Sequence, residues 1–147
     1  MGGDAMRISE ILRQKGGEVV TIEPEATVRE LLEVLAEHNV GAVVVSHDGS
    51  AIDGIVSERD IVRRLQRVGA ELLDRPVAEI MTVVVHTCSP DDGAESLRST
   101  MTEHRIRHLP VVRGGRMVGI VSIGDVVKSA ISELQTEREH LVQYLHG

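Results

Sequence analysis

The chain has 147 residues, 41% of them apolar, enough for one compact domain or for two closely packed half-domains. Its net charge of −7 excludes a duplex-DNA binder, which needs a basic face. With no Phe, no Trp and only Tyr144, it has no platform for stacking single-stranded bases, so any base it holds must lie between aliphatic side chains.

In chain order, residues 1–5 lack the basic and apolar regions of a signal peptide. Ile8, Ile11 and Leu12 then mark a short helix able to cover a domain edge. Residues 19–22 form a β-branched strand ended by Pro24. Thr27 and Glu30 have the spacing of a capping box, opening a helix with Val28, Leu31, Leu32 and Leu35 on one face. Residues 42–45 are a continuous apolar strand, 47–50 a turn, and 52–57 the returning strand. A second helix starts at Asp60 with Ile61, Val62 and Leu65 facing inward. The second half predicts a strand over 83–88, a helix through Leu97 and Met101, a strand over 109–112, a Gly114-Gly115 turn and a strand over 117–122. Beyond Asp125, Val127, Ile131, Leu134, Leu141 and Leu145 keep heptad spacing if Arg138 fills the gap. That long helix either packs on its own module or docks on a second copy or a partner.

The two halves repeat at a period of roughly 65 residues. Thr21-Ile22-Glu23-Pro24 is answered by Thr87-Cys88-Ser89-Pro90, and Glu37-His38-Asn39-Val40 by Glu103-His104-Arg105-Ile106. Gly54-Ile55-Val56-Ser57-Glu58-Arg59-Asp60 is answered by Gly119-Ile120-Val121-Ser122-Ile123-Gly124-Asp125. The class is α+β: two β-α-β-β-α repeats packed about a pseudo-twofold axis, with a long C-terminal helix. The expected organisation is an N-terminal segment over 1–18, a first repeat over 19–68, a linker over 69–82, a second repeat over 83–131 and a helical extension over 132–147.

The duplicated Gly-x-x-Ser-x-x-Asp runs, with His108-Leu109-Pro110-Val111-Val112 after a helix, resemble a stand-alone tandem CBS domain pair, or Bateman module, from Ile8 to about Ile131. The resemblance implies a regulatory module that binds an adenosine ligand between the repeats, dimerises and acts through a separate regulated protein. AMP is the first expectation, ADP, ATP and NAD follow, and S-adenosylmethionine ranks behind them. It also implies a main cleft in which Asp125 holds the ribose, Ser122 and Ile120 stand beside it, and adenine lies against Thr21, Val28 and Gly41. A second cleft would take Asp60 and Ser57 with Thr87, Ala94 and Ile106. Free N–H groups at the helix starts suit phosphate.

The clefts differ. Before Pro110 the second repeat supplies Arg107, a bidentate cation, and His108, a titratable donor; the matching positions are Gly41 and Ala42. Beside Asp60 stands Glu58, which repels phosphate, with Arg59 and Arg63 to compensate, so the Asp125 cleft is expected to be the better anion site.

Plainer readings stand beside these. Asp60 and Asp125 also suit simple helix capping, and Arg107 suits a surface charge. Cys88 matches Ile22 and reads as a small buried residue rather than a nucleophile; being alone, it forms no internal disulfide and fits a reducing cytoplasm. The seven histidines include no His-Glu-x-x-His pattern, so no metal is expected. Gly114-Gly115 lacks the lysine and hydroxyl of a phosphate loop. No activated nucleophile or carboxylate pair marks an enzyme. No segment approaches the ~18 apolar residues of a membrane span.

Overall fold

A computed structural model describes residues 6–16, 19–83 and 86–146. In chain order these form α1 (Ile8–Lys15), β1 (Thr21–Ile22), α2 (Val28–His38), β2 (Ala42–Val45), β3 (Gly54–Ser57), α3 (Glu58–Val68), α4 (Ala94–His104), β4 (His108–Arg113), β5 (Arg116–Ser122) and α5 (Ile123–His146). Single 3-10 turns occupy Gly69–Asp74 and Val77–Glu79. The class is α+β, with a three-stranded sheet ordered β1-β2-β3 and a two-stranded sheet β4-β5. Two compact units result: Glu18–Thr87 with Gly114–Val118, and Met1–Gly17 with Cys88–Arg113 and Gly119–Gly147.

In the first unit, β2 is buried along its whole length, pairing parallel with β1 and antiparallel with β3. Four consecutive aliphatic residues suit a strand covered on both faces. The capping box predicted from Thr27 and Glu30 is present with both bonds made. Val28, Leu31 and Leu35 of that helix enter the core, whereas Leu32 stays 39% exposed. In α3 only Ile61 is buried; Val62 and Leu65, expected inward, are exposed. The core takes three residues over two turns of α2 but a single residue of α3.

The second unit repeats the plan with departures. Leu97 and Met101 of α4 are buried as their spacing predicts. The strand expected over 83–88 is reduced to one bridge, Cys88 to Val111, with Val84 and Val85 outside the described residues. Likewise, the strand expected from 19 is confined to Thr21–Ile22. The Gly114-Gly115 turn is made, both glycines lying at positive φ (58° and 79°). α2 and α4 each end on histidine, followed by a left-handed residue, Asn39 (φ 52°) and Arg105 (φ 56°), which stops the helix. α5 buries Val126 and Ser129, not its heptad residues: Val127, Ile131, Leu134, Leu141 and Leu145 are 47–72% exposed.

A further correspondence was not visible as a motif. Ile8-Ser9-Glu10-Ile11-Leu12 and Val77-Ala78-Glu79-Ile80-Met81 do the same work in the two units. Val77 and Ile80 enter the first core, Ile8 and Ile11 the second, with the same exposures of 0% and 4%. Val77 N–H donates to Ala26 O (2.7 Å) and Ala78 N–H to Pro24 O (3.0 Å); Ile8 N–H donates to Asp92 O (3.0 Å) and Ser9 N–H to Pro90 O (2.9 Å). The stretch expected as a linker over 69–82 therefore places Leu72, Val77 and Ile80 in the first core, and α1 is part of the second.

These segments also explain the motif glycines. A Cβ on Gly54 would lie 2.7 Å from Met81 Sδ and 2.8 Å from the backbone oxygen of Thr82, while one on Gly119 would lie 2.6 Å from Leu12 Cδ2. Thr82 is itself pinned to Ile55 by two 2.9 Å backbone bonds and cannot yield, whereas the end of a leucine can turn away. Gly54→Ala is expected to destabilise by about 1–3 kcal/mol and Gly119→Ala by less. Urea unfolding of the two variants checks this, and a larger loss for Gly119→Ala would contradict it.

Candidate functional site

Each repeat has a joint where a strand runs directly into a helix: β3 into α3 at Ser57, β5 into α5 at Ser122. Asp60 and Asp125, for which simple capping is the plainer reading, stand at the third helical position, and the serines are the caps. In the first joint Ser57 Oγ accepts from Asp60 N–H (3.4 Å), while Asp60 Oδ2 accepts from Ser57 N–H (2.8 Å) and from its hydroxyl (3.1 Å). In the second, Ser122 Oγ accepts from Asp125 N–H (3.1 Å) and Asp125 Oδ2 accepts from Ser122 N–H (2.9 Å). The Ser57 hydroxyl thus both donates and accepts within the chain, and Ser122 Oγ accepts within it. Neither aspartate is fully buried.

A second backbone bond fixes what lies beside each joint. Glu58 N–H donates to Gly41 O (3.0 Å) and Ile123 N–H to Arg107 O (2.9 Å). Gly41 and Arg107 are therefore structural equivalents, and the Arg107 backbone is fastened to the start of α5. The same bonds reduce the supply of N–H groups at each helix start. At α5, Ile123 and Asp125 are already paired, leaving Gly124 among the first three. Any anion at Asp125 must rely mainly on cationic side chains rather than on the helix start.

The joints differ in charge. Asp125 Oδ2 also accepts from Lys15 Nζ at 2.9 Å, and that ammonium donates to Ile120 O at 2.8 Å. Lys15 ends α1 and carried no motif signal; its sequence distance from Asp125 is 110 residues. Burial pushes the Asp125 carboxyl upward, but the Lys15 bond, the Ser122 N–H, the lysine charge and the serine hydroxyl outweigh it, and its pKa lies below the ordinary 3.8.

Of the residues expected to line adenine, Thr21 pairs with Val44 in the β1–β2 ladder, and Gly41 is half-buried. Val28 is 0% exposed inside the first core and presents no surface to a ligand: as the first residue of α2 it points under the sheet. Pro110 is buried in β4, where its carbonyl accepts from Cys88 N–H (3.0 Å). Ala94 and Ile106 are half-buried against the second core, Ile120 and His108 are half-buried, and Thr87, Arg59, Arg63 and Arg107 are exposed.

Burial, helped by the nearby Asp92 charge, pushes the Cys88 thiol up to about 12, so it stays protonated near neutrality. Among the described residues, no three His, Cys, Asp or Glu side chains cluster to hold a metal. No helix among them is long and apolar enough to cross a membrane.

The CBS domain family matches residues 8–67 and 77–132. A mitochondrial CBS domain-containing protein of Arabidopsis thaliana is 34% identical over 99% of this chain and 75% of its own. A CBS-domain containing protein from Agrobacterium tumefaciens superposes with a TM-score of 0.81 at 38% identity, over 85% of this chain and 99% of that one. A CBS domain protein from Pyrobaculum aerophilum, solved complexed with AMP, gives a TM-score of 0.73 at 33% identity, over 82% of this chain and 89% of that one.

Two outcomes are expected. Because the folded pKa of Asp125 is depressed, its contribution to stability is complete above the unfolded value and is lost as pH falls through the folded one. Denaturation between about pH 5 and pH 2 should therefore show a shallower fall for Asp125→Asn than for the native protein; parallel curves would contradict the assignment. Separately, iodoacetamide should modify Cys88 slowly in the native protein and readily in urea, read by mass spectrometry.

Proposed function

The chain belongs to the CBS domain family, and on that footing we propose that it is a regulatory module that binds an adenosine nucleotide at its strand-to-helix joints and signals occupancy to a separate protein. The observation that carries this reading is the duplicated joint. Both repeats hold an aspartate whose backbone setting is fixed by reciprocal bonds, yet whose carboxylate stays partly open to solvent. A carboxylate so placed suits ribose hydroxyls, each such charge-assisted bond contributing about 1.5–3 kcal/mol. The AMP-bound relative from Pyrobaculum aerophilum supports the ligand class. AMP is the favoured ligand, with ADP, ATP and NAD next and S-adenosylmethionine last.

Asp125 is the stronger of the two positions. Lys15 bonds Asp125 and the backbone of Arg107 is fastened to the start of α5, whereas α3 begins with Glu58, with Arg59 and Arg63 further along it. Ligand binding favours one pre-existing arrangement of the repeats, and the bound state is read by a partner. The reading includes no chemical turnover and a cytoplasmic setting. A second copy of the chain is the proposed occupant of the exposed α5 heptad stripe, since such a stripe is complementary to itself.

An adaptor that binds no nucleotide is the second reading. It is favoured by the fact that both Ser–Asp pairs already satisfy one another as caps.

Thermal melting with AMP, ATP, NAD and S-adenosylmethionine separates the two, since a ligand bound only by the folded state raises the melting temperature. We expect a rise with AMP that Asp125→Ala removes and Asp60→Ala only reduces; no shift with any of the four selects the adaptor. Light scattering should give a dimer that Leu134→Glu with Leu141→Glu converts to a monomer, and a native monomer would contradict the α5 assignment.

A further inference from the structure

The two units share the first backbone bonds of the return segment, the motif glycine and the reciprocal Ser–Asp bonds, and then differ: Thr82 bridges to Ile55 in the first unit, whereas α1 runs on as a helix to Lys15 in the second. The stretch that follows Met81 in sequence, residues 82–87, contains no lysine to answer Lys15. The capping of Asp60 is complete without any lysine bond: Ser57 N–H and hydroxyl suffice. Capping therefore does not require Lys15. Nor does α1 need it as an anchor. Ile8 and Ile11 are buried, Leu12 lies against Gly119, and Ile8 N–H, Ser9 N–H and Ala94 N–H tie the start of the helix to the unit (2.9–3.0 Å). A pair this exposed, 36% for the lysine side chain and 22% for the aspartate, adds little as a structural tie.

What the lysine changes is the charge at the joint. An unpaired carboxylate beside a phosphorylated ligand repels it; one neutralised by an ammonium at 2.9 Å does not. Two of the three ammonium hydrogens are engaged, one on Asp125 Oδ2 and one on Ile120 O, which fixes the side chain and leaves one N–H to donate. The bonds from Lys15 and from Ser122 N–H both end on Oδ2, and in this reading Oδ1 accepts from a sugar hydroxyl. With the N–H groups of Ile123 and Asp125 already used, the helix start does not replace this cation.

We propose that Lys15 is a specificity-determining residue of the Asp125 site, selecting a phosphorylated nucleoside over the uncharged nucleoside. The inference rests on the nucleotide-binding reading above and extends it by one residue from outside either duplicated motif. In it Asp125 reads the sugar, Lys15 cancels the aspartate's charge and faces the phosphate, and Arg107, rooted at the same helix start, supplies the second cation.

Calorimetry with AMP and with adenosine tests this on the native protein and on Lys15→Ala, Lys15→Gln and Lys15→Arg. Loss of one charge-assisted contact should weaken AMP by about tenfold or more in the Ala and Gln variants. Adenosine should change by no more than about threefold, because it lacks the phosphate charge that Lys15 balances. Lys15→Arg should restore most of the AMP affinity. The ratio of the two affinities is the deciding quantity, because a general loosening of α1 weakens both ligands alike. Equal losses for AMP and adenosine, or tighter AMP binding in Lys15→Ala, would overturn the role of Lys15 and leave the nucleotide reading standing. A native protein that binds neither compound would overturn the nucleotide reading, and this inference with it.

Discussion

The structure turns on the junction at which a buried strand becomes a helix with no intervening loop. At such a point the backbone must leave one hydrogen-bonding pattern and enter another while its polar groups are half withdrawn from water. A serine and an aspartate three residues apart solve this by bonding each other's N–H, so that each side chain replaces a partner the backbone has lost. Removing one such cap typically costs about 1 kcal/mol, a sizeable share of the net stability of a small unit. The motif glycine then admits a returning segment closely, against fixed backbone at Gly54 and against a leucine side chain at Gly119. Capping and close approach together hold the strand in register and hold the carboxylate at a fixed place.

This plan is duplicated, and function enters through the differences. In the first joint the neighbours are Gly41, Glu58 and Arg59; in the second they are Arg107, Ile123, Gly124 and Lys15. From the first to the second, Arg107 stands for Gly41 and Lys15 is added, while Glu58 and Arg59 give way to Ile123 and Gly124. Two copies of one plan therefore carry different charge beside the same Ser–Asp pair.

The strands, helices and duplication were legible because they depend on local pattern. The box at Thr27 and Glu30, the aliphatic run of β2 and the paired glycines at 114 and 115 each carry their signal within a few residues. The aspartates of the two joints were legible as equivalent residues because they recur. Burial was less so: Leu32, Val62 and Leu65 sit on the right helices but outside the arc covered by a short sheet, and Val28 went under that sheet. The strand over 83–88 looked extended by composition, yet it has one bridge partner, at Cys88, among the described residues. Lys15 was invisible for a different reason. Its partners are more than 100 residues away, and no periodicity encodes a contact of that range.

That same long reach governs how the molecule is put together. The first unit draws its core from the continuous stretch between Ile22 and Ile80, so every piece is present once that stretch has left the ribosome. The second core needs Ile8 and Ile11, made at the outset, together with Val126, made near the end. Closing such a span carries a large loop entropy, and it places the second unit late in the order of assembly. Until then α1 waits as a short amphipathic helix with its apolar face uncovered, too short to hold its shape alone. The carboxylate of Asp125 meets its lysine only when the two ends of the chain have come together, so that pair is completed last.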